Sequence, residues 1–405
     1  MKVYLKLAWR NLWRNKRRTL ITSASIFFGV VLSAIMSSMQ EGSYAQYIKT
    51  IVNFYSGYIQ VHQKGYWNNQ EINNSLEYSA ISTKLKDIKE ITIFTPRLEN
   101  FALAASEDIT KGVMVIGISP QKEDRITGLS GKIINGKYLY DGDKGVVLGS
   151  ALAKFLNLGV SDTLVLLGQG YQGVSAAGKY PVRGIIKQPS PDLDRIVVYM
   201  DVTASQDLFS ASDRLTSIVI MVKNSEDVAS AKKELISKLG PEYEVMDWKQ
   251  INSILMKQID SDRQSGIIMK GVLYMIIAFG IFGTVMMMTA ERRKEFGVLI
   301  AFGMQKNRLS FVLVQETILL GLVGVITGIV ASIPITWYFT LHPIPFSGQA
   351  AETMMQMGFE PIMSFSMTPS VFYNQAITIF IFTVIIGLYP VVNIHKLKIS
   401  KALHS

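Results

Sequence analysis

Four stretches of the chain carry no charged side chain: 19–40, 271–290, 317–351 and 361–394. A bilayer core is crossed by about 20 apolar residues in helical form. Buried helices of soluble domains are usually shorter and amphipathic, so these runs predict four membrane spans, at 19–40, 267–290, 309–340 and 371–393. The first is too long in its apolar part for a secretory leader, and no small-residue cleavage pattern follows it. Between the first two spans the period changes. Short apolar runs at 58–62, 91–98, 111–118, 163–168, 180–186, 195–200 and 216–222 predict strands, many of them separated by Gly, Asn and Asp clusters. One helix is predicted over 225–241, where acids open the segment, lysines follow and Gly240-Pro241 closes it. A second is predicted from Asp247, with Gln250 in capping-box position and Trp248, Ile251, Leu255 and Ile259 on one stripe. It is expected to run into the second span as a stalk. The expected fold class is a membrane protein with four transmembrane α-helices plus a large α+β extracytoplasmic domain between spans 1 and 2.

Charge sets the expected orientation. Residues 1–18 hold seven Lys and Arg and no acid, and the loop 291–308 holds five against Glu291 and Glu295. The tail 394–405 adds Lys396, Lys398 and Lys401, whereas 341–370 has only Glu352 and Glu360. Basic loops stay in the cytoplasm, which puts both termini and the 291–308 loop inside and the 41–266 domain and 341–370 loop outside. Trp337, Tyr338 and Phe339 end the third span where amphipathic rings favour the interface. The formal net charge of +10 then divides unevenly: 41–266 carries −1 and the rest +11. The basic excess is juxtamembrane and suits anionic lipid, not nucleic acid.

Catalytic chemistry is thin. The chain has no cysteine and four histidines, His62, His342, His395 and His404, scattered in sequence, so neither a thiolate site nor a metal cluster is expected. No Ser-His-Asp or paired-carboxylate pattern stands out. The stretch GVSAAGK, 173–179, has the G-x-x-x-x-G-K frame of a phosphate loop. Such a loop needs a helix after it and a hydroxyl for magnesium. Here Tyr180-Pro181 follows and YPVRGII reads as a strand. The glycine-rich stretch 168–179 is therefore expected to be a mobile hairpin loop, its role open between an idle tip and a contact with a partner.

Two segments on the basic side are more telling. YLKLAWRNLWR, residues 4–14, places Leu5, Ala8, Trp9, Leu12 and Trp13 at helical spacing and Lys6, Arg10, Arg14 and Arg17 on another face. Residues 1–18 are thus expected to form an interfacial amphipathic helix, with Trp9, Trp13, Arg10 and Arg14 as the membrane anchor and a cytoplasmic partner as a further role. The loop ERRKEFGVLIAFGMQKNR, 291–308, is short but apolar at its centre. Phe296, Leu299, Ile300 and Gly303 are expected to form one face of a short helix that a partner protein covers. Glu316, two turns inside span three, is a functional candidate by position, or else a side chain that snorkels or pairs with Arg308.

WRNLWRNKRRT before the first span and ERRKEFGVLIAFGM after the second resemble the corresponding segments of FtsX-like ABC-transporter permeases of the MacB and Lol type. YSGYIQVHQKGY, 55–66, is similar to the start of the outer domain in the lipoprotein-releasing (LolC/LolE) permeases. The resemblance covers essentially the whole chain. It implies a transport subunit without its own ATP site, in the bacterial inner membrane, paired with a second permease in a homo- or heterodimer. Two ABC ATPase subunits would bind ATP and Mg. It implies that Glu291, Arg292, Glu295, Phe296, Gly297, Gly303 and Met304 sit in the ATPase groove and pass its closure to the outer domains by mechanotransmission. A lipoprotein substrate, with a periplasmic carrier to receive it, would place its acyl chains near Met36, Met39, Ile267, Ile268 and Leu273, since methionine adapts to varied chains. Export of a peptide, antibiotic or amphiphile, and a signalling scaffold that activates a cell-wall hydrolase, are the alternatives.

Overall fold

Water is absent from the bilayer core, so each span must satisfy its backbone internally, and the four predicted spans are helical, the fourth passing a turn at Gly387-Leu388 into the short helix Tyr389–His395. The computed structural model describes residues 8–10, 12–14, 16–86, 88–107, 109–356 and 358–396, without the side chain of Arg18. Its long helices are α1 (Lys16–Ile51), α2 (Ser253–Glu291), α4 (Lys306–Leu341) and α5 (Pro369–Ile386), with the short α3 (Arg293–Ala301) after α2. At 1.5 Å per residue the 36-residue α1 is about 54 Å long, well beyond the ~30 Å of hydrocarbon. Two compact units result. One holds residues up to 46, 258–344 and from 362 on; the other holds 47–257 and 345–361. The first charge-free run ends at Gln40 and the second begins at Gly271, while α1 and α2 continue past the expected boundaries at 40/41 and 266/267.

In the helical unit α4 is the hub. It carries Gly324 and Gly328 four apart, and a Cβ at either would come within 2.7 Å of Ile26 or Val30 of α1. This small-residue seam lets the two backbones approach, which replaces the hydrophobic drive that lipid removes. Ile26, Val30, Ile281, Val285, Val325, Ala376 and Ile379 form the shared core of the four spans. Glu316 of α4 is 3% exposed. An acid there needs a partner, and Arg292 supplies it: Nη1 donates to both carboxylate oxygens at 2.9 Å. The partner is therefore not the expected Arg308, which sits at an exposed position in the first turn of α4.

The second unit is built on one ten-stranded sheet. Its strands are β1 (Ile59–Gln63), β2 (Ile91–Ser106), β3 (Ile109–Ile118), β4 (Ile133–Gly136), β5 (Val146–Gly149), β6 (Thr163–Gln169), β7 (Ser175–Ile186), β8 (Val197–Asp201), β9 (Ser217–Val222) and β10 (Tyr243–Asp247). The 16-residue β2 belongs to two halves. Its first half pairs with β9, and the order β10-β1-β9-β2 makes an antiparallel sheet packed on helices Tyr78–Lys86 and Val228–Leu239. Its second half pairs with β6, and the pairings β2-β6-β7-β5-β8-β3-β2 close a ring of six strands. Leu98, Val113, Val115, Leu148, Leu164, Leu166, Val182 and Met200 fill it. Closure removes free edges, which otherwise invite pairing with other chains.

The expected glycine-rich loop shrinks in this ring. Ser175–Lys179 pair with β6 as part of β7, and only residues 170–174 turn the hairpin. Alternating side chains on two paired strands override the glycines. Downstream, Asp247 forms the expected capping box: its side chain accepts from the Lys249 and Gln250 amides, and Gln250 accepts from the Asp247 amide. The stalk stripe is broken, however, at Asn252, between the short helix Trp248–Ile251 and α2.

Where α1 ends, a π-turn over Val52–Ser56 leads into β1. Arg97 of β2, 1% exposed, donates from Nη1 to the Tyr55 carbonyl at 2.7 Å and forks onto Glu123 at 2.5 and 3.2 Å. Tyr55 in turn donates to Glu99 at 2.9 Å. Burial raises the Glu99 carboxyl above its ordinary range, against the pull of Arg97. His62 is buried between the Thr216 carbonyl and Gln60, and burial pushes its pKa down to about 4 despite the Thr216 bond.

Two tests follow from these buried groups. Removing one member of a buried ion pair strands the other, at about 3–5 kcal/mol, whereas apolar replacement of both is far cheaper. Arg97→Met and Arg292→Met are each expected to lower the denaturation midpoint of the full chain in detergent sharply. The doubles Arg97→Met/Glu123→Leu and Arg292→Met/Glu316→Leu are expected to recover most of it. Doubles as unstable as the singles would show that the pairs are not the cause. His62, with a folded pKa below its unfolded one, takes up protons more readily when unfolded. Stability is then complete above pH 6.5 and falls as pH drops towards 4, by about 3 kcal/mol for this shift. His62→Gln is expected to flatten that slope in a pH series of unfolding curves.

Candidate functional site

The segment joining α2 to α4 gathers most of the residues singled out in the sequence. Glu291 ends α2, and Arg292, at φ −92° and ψ 5°, breaks the helix so that α3 starts afresh. At its other end Gly303 takes φ +94°, where an L side chain is strained. The Gly303 amide bonds to the Ile300 carbonyl and the Met304 amide to the Leu299 carbonyl, the double closure of a Schellman turn. Gly303 therefore ends α3 and lets α4 begin at Lys306.

Phe296 and Gly297 point inward. Phe296 packs with Leu309, Leu313 and Ile394, and Ile300 and Met304 close over that cluster. The expected single face of Phe296, Leu299, Ile300 and Gly303 is thus split: Phe296 and Ile300 hold α3 to its own unit. Val298 and Leu299 stay exposed, and Phe302 is 87% exposed. The apolar surface offered outward is therefore Val298, Leu299 and Phe302, of which the expected face held Leu299 alone. Phe302 was missed, although its place before the αL glycine, at the end of the helix, marks it as the projecting residue.

Four charged groups form a line across this end. Arg14 donates to Glu295 at 2.6 Å; Arg292 reaches Glu295 through Nε at 3.3 Å and Glu316 through Nη1. Partial burial would raise the Glu295 carboxyl, but the bonds from Arg14 and Arg292 outweigh it and hold the group below its ordinary range. Arg14 belongs to the segment before α1, described at 8–10 and 12–14. Ala8 and Leu12 are buried there, while Trp9, Arg10, Trp13 and Arg14 are exposed, Trp9 and Trp13 edge to face at 6.0 Å. The expected apolar stripe divides, with Ala8 and Leu12 buried and the rings of Trp9 and Trp13 exposed. Leu5 and Lys6 lie outside the described residues, as do Lys398, Lys401 and His404.

At the opposite end of the spans a second polar set joins α1, α2 and α5. Arg263 pairs with Glu41 at 3.4 Å, and Tyr44 donates to Asp262. Lys270 and Gln375 both donate to Ser37, at 3.3 and 2.8 Å, and Tyr274 donates to Gln375. These bonds fix one face of α2 against its neighbours and turn the other away. Ile267 and Ile268 are 67% and 71% exposed, with Met269, Val272, Met275 and Ile276 beside them. Leu273, Met36 and Met39 are half-buried. The five candidate residues are thus divided between a packed seam and an open face. Among the described residues no group of His, Asp and Glu is placed to hold a metal ion.

Two family models match the chain: the MacB-like periplasmic core domain over residues 19–238 and the FtsX-like permease C-terminal over residues 267–399. The lipoprotein-releasing system transmembrane protein LolC of Xylella fastidiosa is 23% identical over 252 residues, 60% of this chain and 60% of that one. LolC of Neisseria meningitidis serogroup B is 20% identical over 333 residues, 79% of this chain and 77% of that one. The macrolide export ATP-binding/permease protein MacB of Agrobacterium fabrum is 21% identical over 357 residues, 83% of this chain and 53% of that one. The chain thus spans about 60% of the Xylella relative's length and about half of the Agrobacterium one. With four apolar helices, an α+β domain between the first two and both halves matched, the chain belongs to the FtsX-like, MacB-type family of ABC transporter permeases.

Proposed function

We propose that this permease works with separate ATPase subunits to release lipoproteins from the outer leaflet of the inner membrane. Both termini and the 291–308 segment face the cytoplasm in this reading. The observation that carries it is the open face of α2 around Ile267 and Ile268, at the end of the spans away from the basic segments. A second permease, copy or paralogue, would face it, and acyl chains would lie between the two subunits against Ile267, Ile268, Met36, Met39 and Leu273. The similarity to LolC supports the cargo class. A periplasmic carrier would then take up the freed lipoprotein.

In this scheme each ATPase receives Val298, Leu299 and Phe302 in its groove, with ATP and Mg bound on the ATPase itself. Glu295, Arg292 and Glu316 make the short helix and α4 move as one piece. α1 and α2, continuous beyond the bilayer, carry the displacement outward. Export of a peptide, antibiotic or other amphiphile is the second reading, favoured by the similarity to MacB over 83% of the chain.

Photocrosslinkers at Met36, Met39 and Ile268 in living cells are expected to capture acylated protein. Capture of a small amphiphile would favour the second reading, and a cell-wall hydrolase recovered on the outer domain would replace both with a scaffold role. Glu295→Lys puts a third cation between Arg14 and Arg292. It is expected to leave membrane insertion intact, keep ATP hydrolysis within about twofold and reduce release at least tenfold. Unchanged release per ATP in that variant would reject the coupling role of this segment.

A further inference from the structure

A cavity of about 620 Å³ opens beside α3, and its lining combines Arg10, Arg14 and Arg292 with the apolar Trp13, Leu299 and Val312. Its charge is unbalanced. Glu295 is the one acid in the lining, and Arg292 is already held by Glu316. Arg14 gives one terminal nitrogen to Glu295, which leaves the rest of its fork, and Arg10 has no ion pair or hydrogen bond among the described residues. The cavity also sits at a definite level. The charge-free run of span one starts at Thr19, five residues after Arg14, and Val312 lies two turns into α4. Guanidinium groups thus mark the headgroup zone, and the apolar wall leads from it into the hydrocarbon.

We propose that this cavity binds one anionic phospholipid, its phosphate between Arg10 and Arg14 and an acyl chain along Trp13 and Val312. Guanidinium forks match phosphate oxygens in pairs, and basic pockets between membrane helices suit anionic headgroups. A soluble anion would leave the apolar wall bare; a protein partner has Val298 and Phe302, exposed outside the lining. The phosphate would draw on the same Arg14 fork as Glu295, so lipid occupancy bears directly on the charge line of α3. The inference needs the chain to be in a membrane and does not depend on what the transporter moves.

The test uses the full-length chain in detergent, offered phosphatidylglycerol or phosphatidylcholine at equal mole fraction, with retained lipid counted by native mass spectrometry. Phosphatidylglycerol is expected to be retained roughly tenfold more. Arg10→Ala/Arg14→Ala is expected to abolish that preference. Leu299→Trp, which fills the cavity and keeps every charge, is expected to abolish it too. Lys16→Ala/Arg17→Ala, which removes exposed bases outside the cavity, is expected to keep it, with unfolding temperatures read for each variant. The proposal is overturned by an absent preference in the wild type, or by its survival in either cavity variant. Equal loss in the Lys16/Arg17 control would mean surface charge alone. Displacement of the lipid by equimolar glycerol 3-phosphate would mean a site for soluble anions.

Discussion

An ionised carboxylate cannot sit in a span without a partner, and the pairing of Glu316 with Arg292 decides how the 291–308 end of this permease is built. A charge taken out of water loses several kcal/mol of hydration, which only a close, well-aligned counter-charge offsets. Nη1 of Arg292 meets both oxygens of Glu316 at 2.9 Å, so the geometry is favourable. To reach Glu316, Arg292 must leave the helical path, and its φ and ψ do so. The break between α2 and α3 is therefore the backbone counterpart of an electrostatic demand. Once Arg292 is fixed, its Nε meets Glu295, and Glu295 meets Arg14. One buried acid thus organises three segments distant in sequence.

The outer unit solves a similar problem with similar means. Its Arg97 is buried and forks onto Glu123, and its Nη1 also donates to the Tyr55 carbonyl in the π-turn that follows α1. A helix C-terminus leaves carbonyls without partners and carries partial negative charge, which a buried guanidinium satisfies. The six-stranded ring and the four-stranded half share β2, and Arg97 of that strand ties the Tyr55 carbonyl to Glu123. A long unpaired strand would be an aggregation hazard; here β2 is flanked along most of its length by β9, β6 and β3.

Much of this was legible beforehand because the bilayer imposes a simple rule. Spans announce themselves as uncharged runs, and all four lie in helices. The seven predicted strands match β1, β2, β3, β6, β7, β8 and β9, since β-branched alternation is a local signal. What escaped was non-local or short. Val146–Gly149 is too brief to show a period, and Tyr243–Asp247 is polar enough to pass for a loop. The Gly324/Gly328 seam was in plain sight, but the apolar run around it drew attention to length instead of face. In the 291–308 segment, spacing alone puts Phe296 outward. Only tertiary packing shows that Leu309, Leu313 and Ile394 need it.

That last difference changes what the E-R-x-x-E-F-G segment means. Of its named residues, Arg292, Glu295, Phe296 and Gly297 are all engaged inside their own unit, Glu295 through Arg14 and Arg292. A segment that must push a neighbour has to be stiffly joined to what it pushes. A short helix of nine residues is marginal by itself in water, so its rigidity must come from anchoring. The buried ring of Phe296 and the salt link of Arg292 provide two anchors on one side. Gly303 provides a defined stop, so the exposed Phe302 projects from a fixed point and not from a frayed end. Phe296, Gly297 and Arg292 thus hold these two and a half turns of helix to their own unit while Val298, Leu299 and Phe302 stay exposed, and the motif residues belong mainly to the anchoring face.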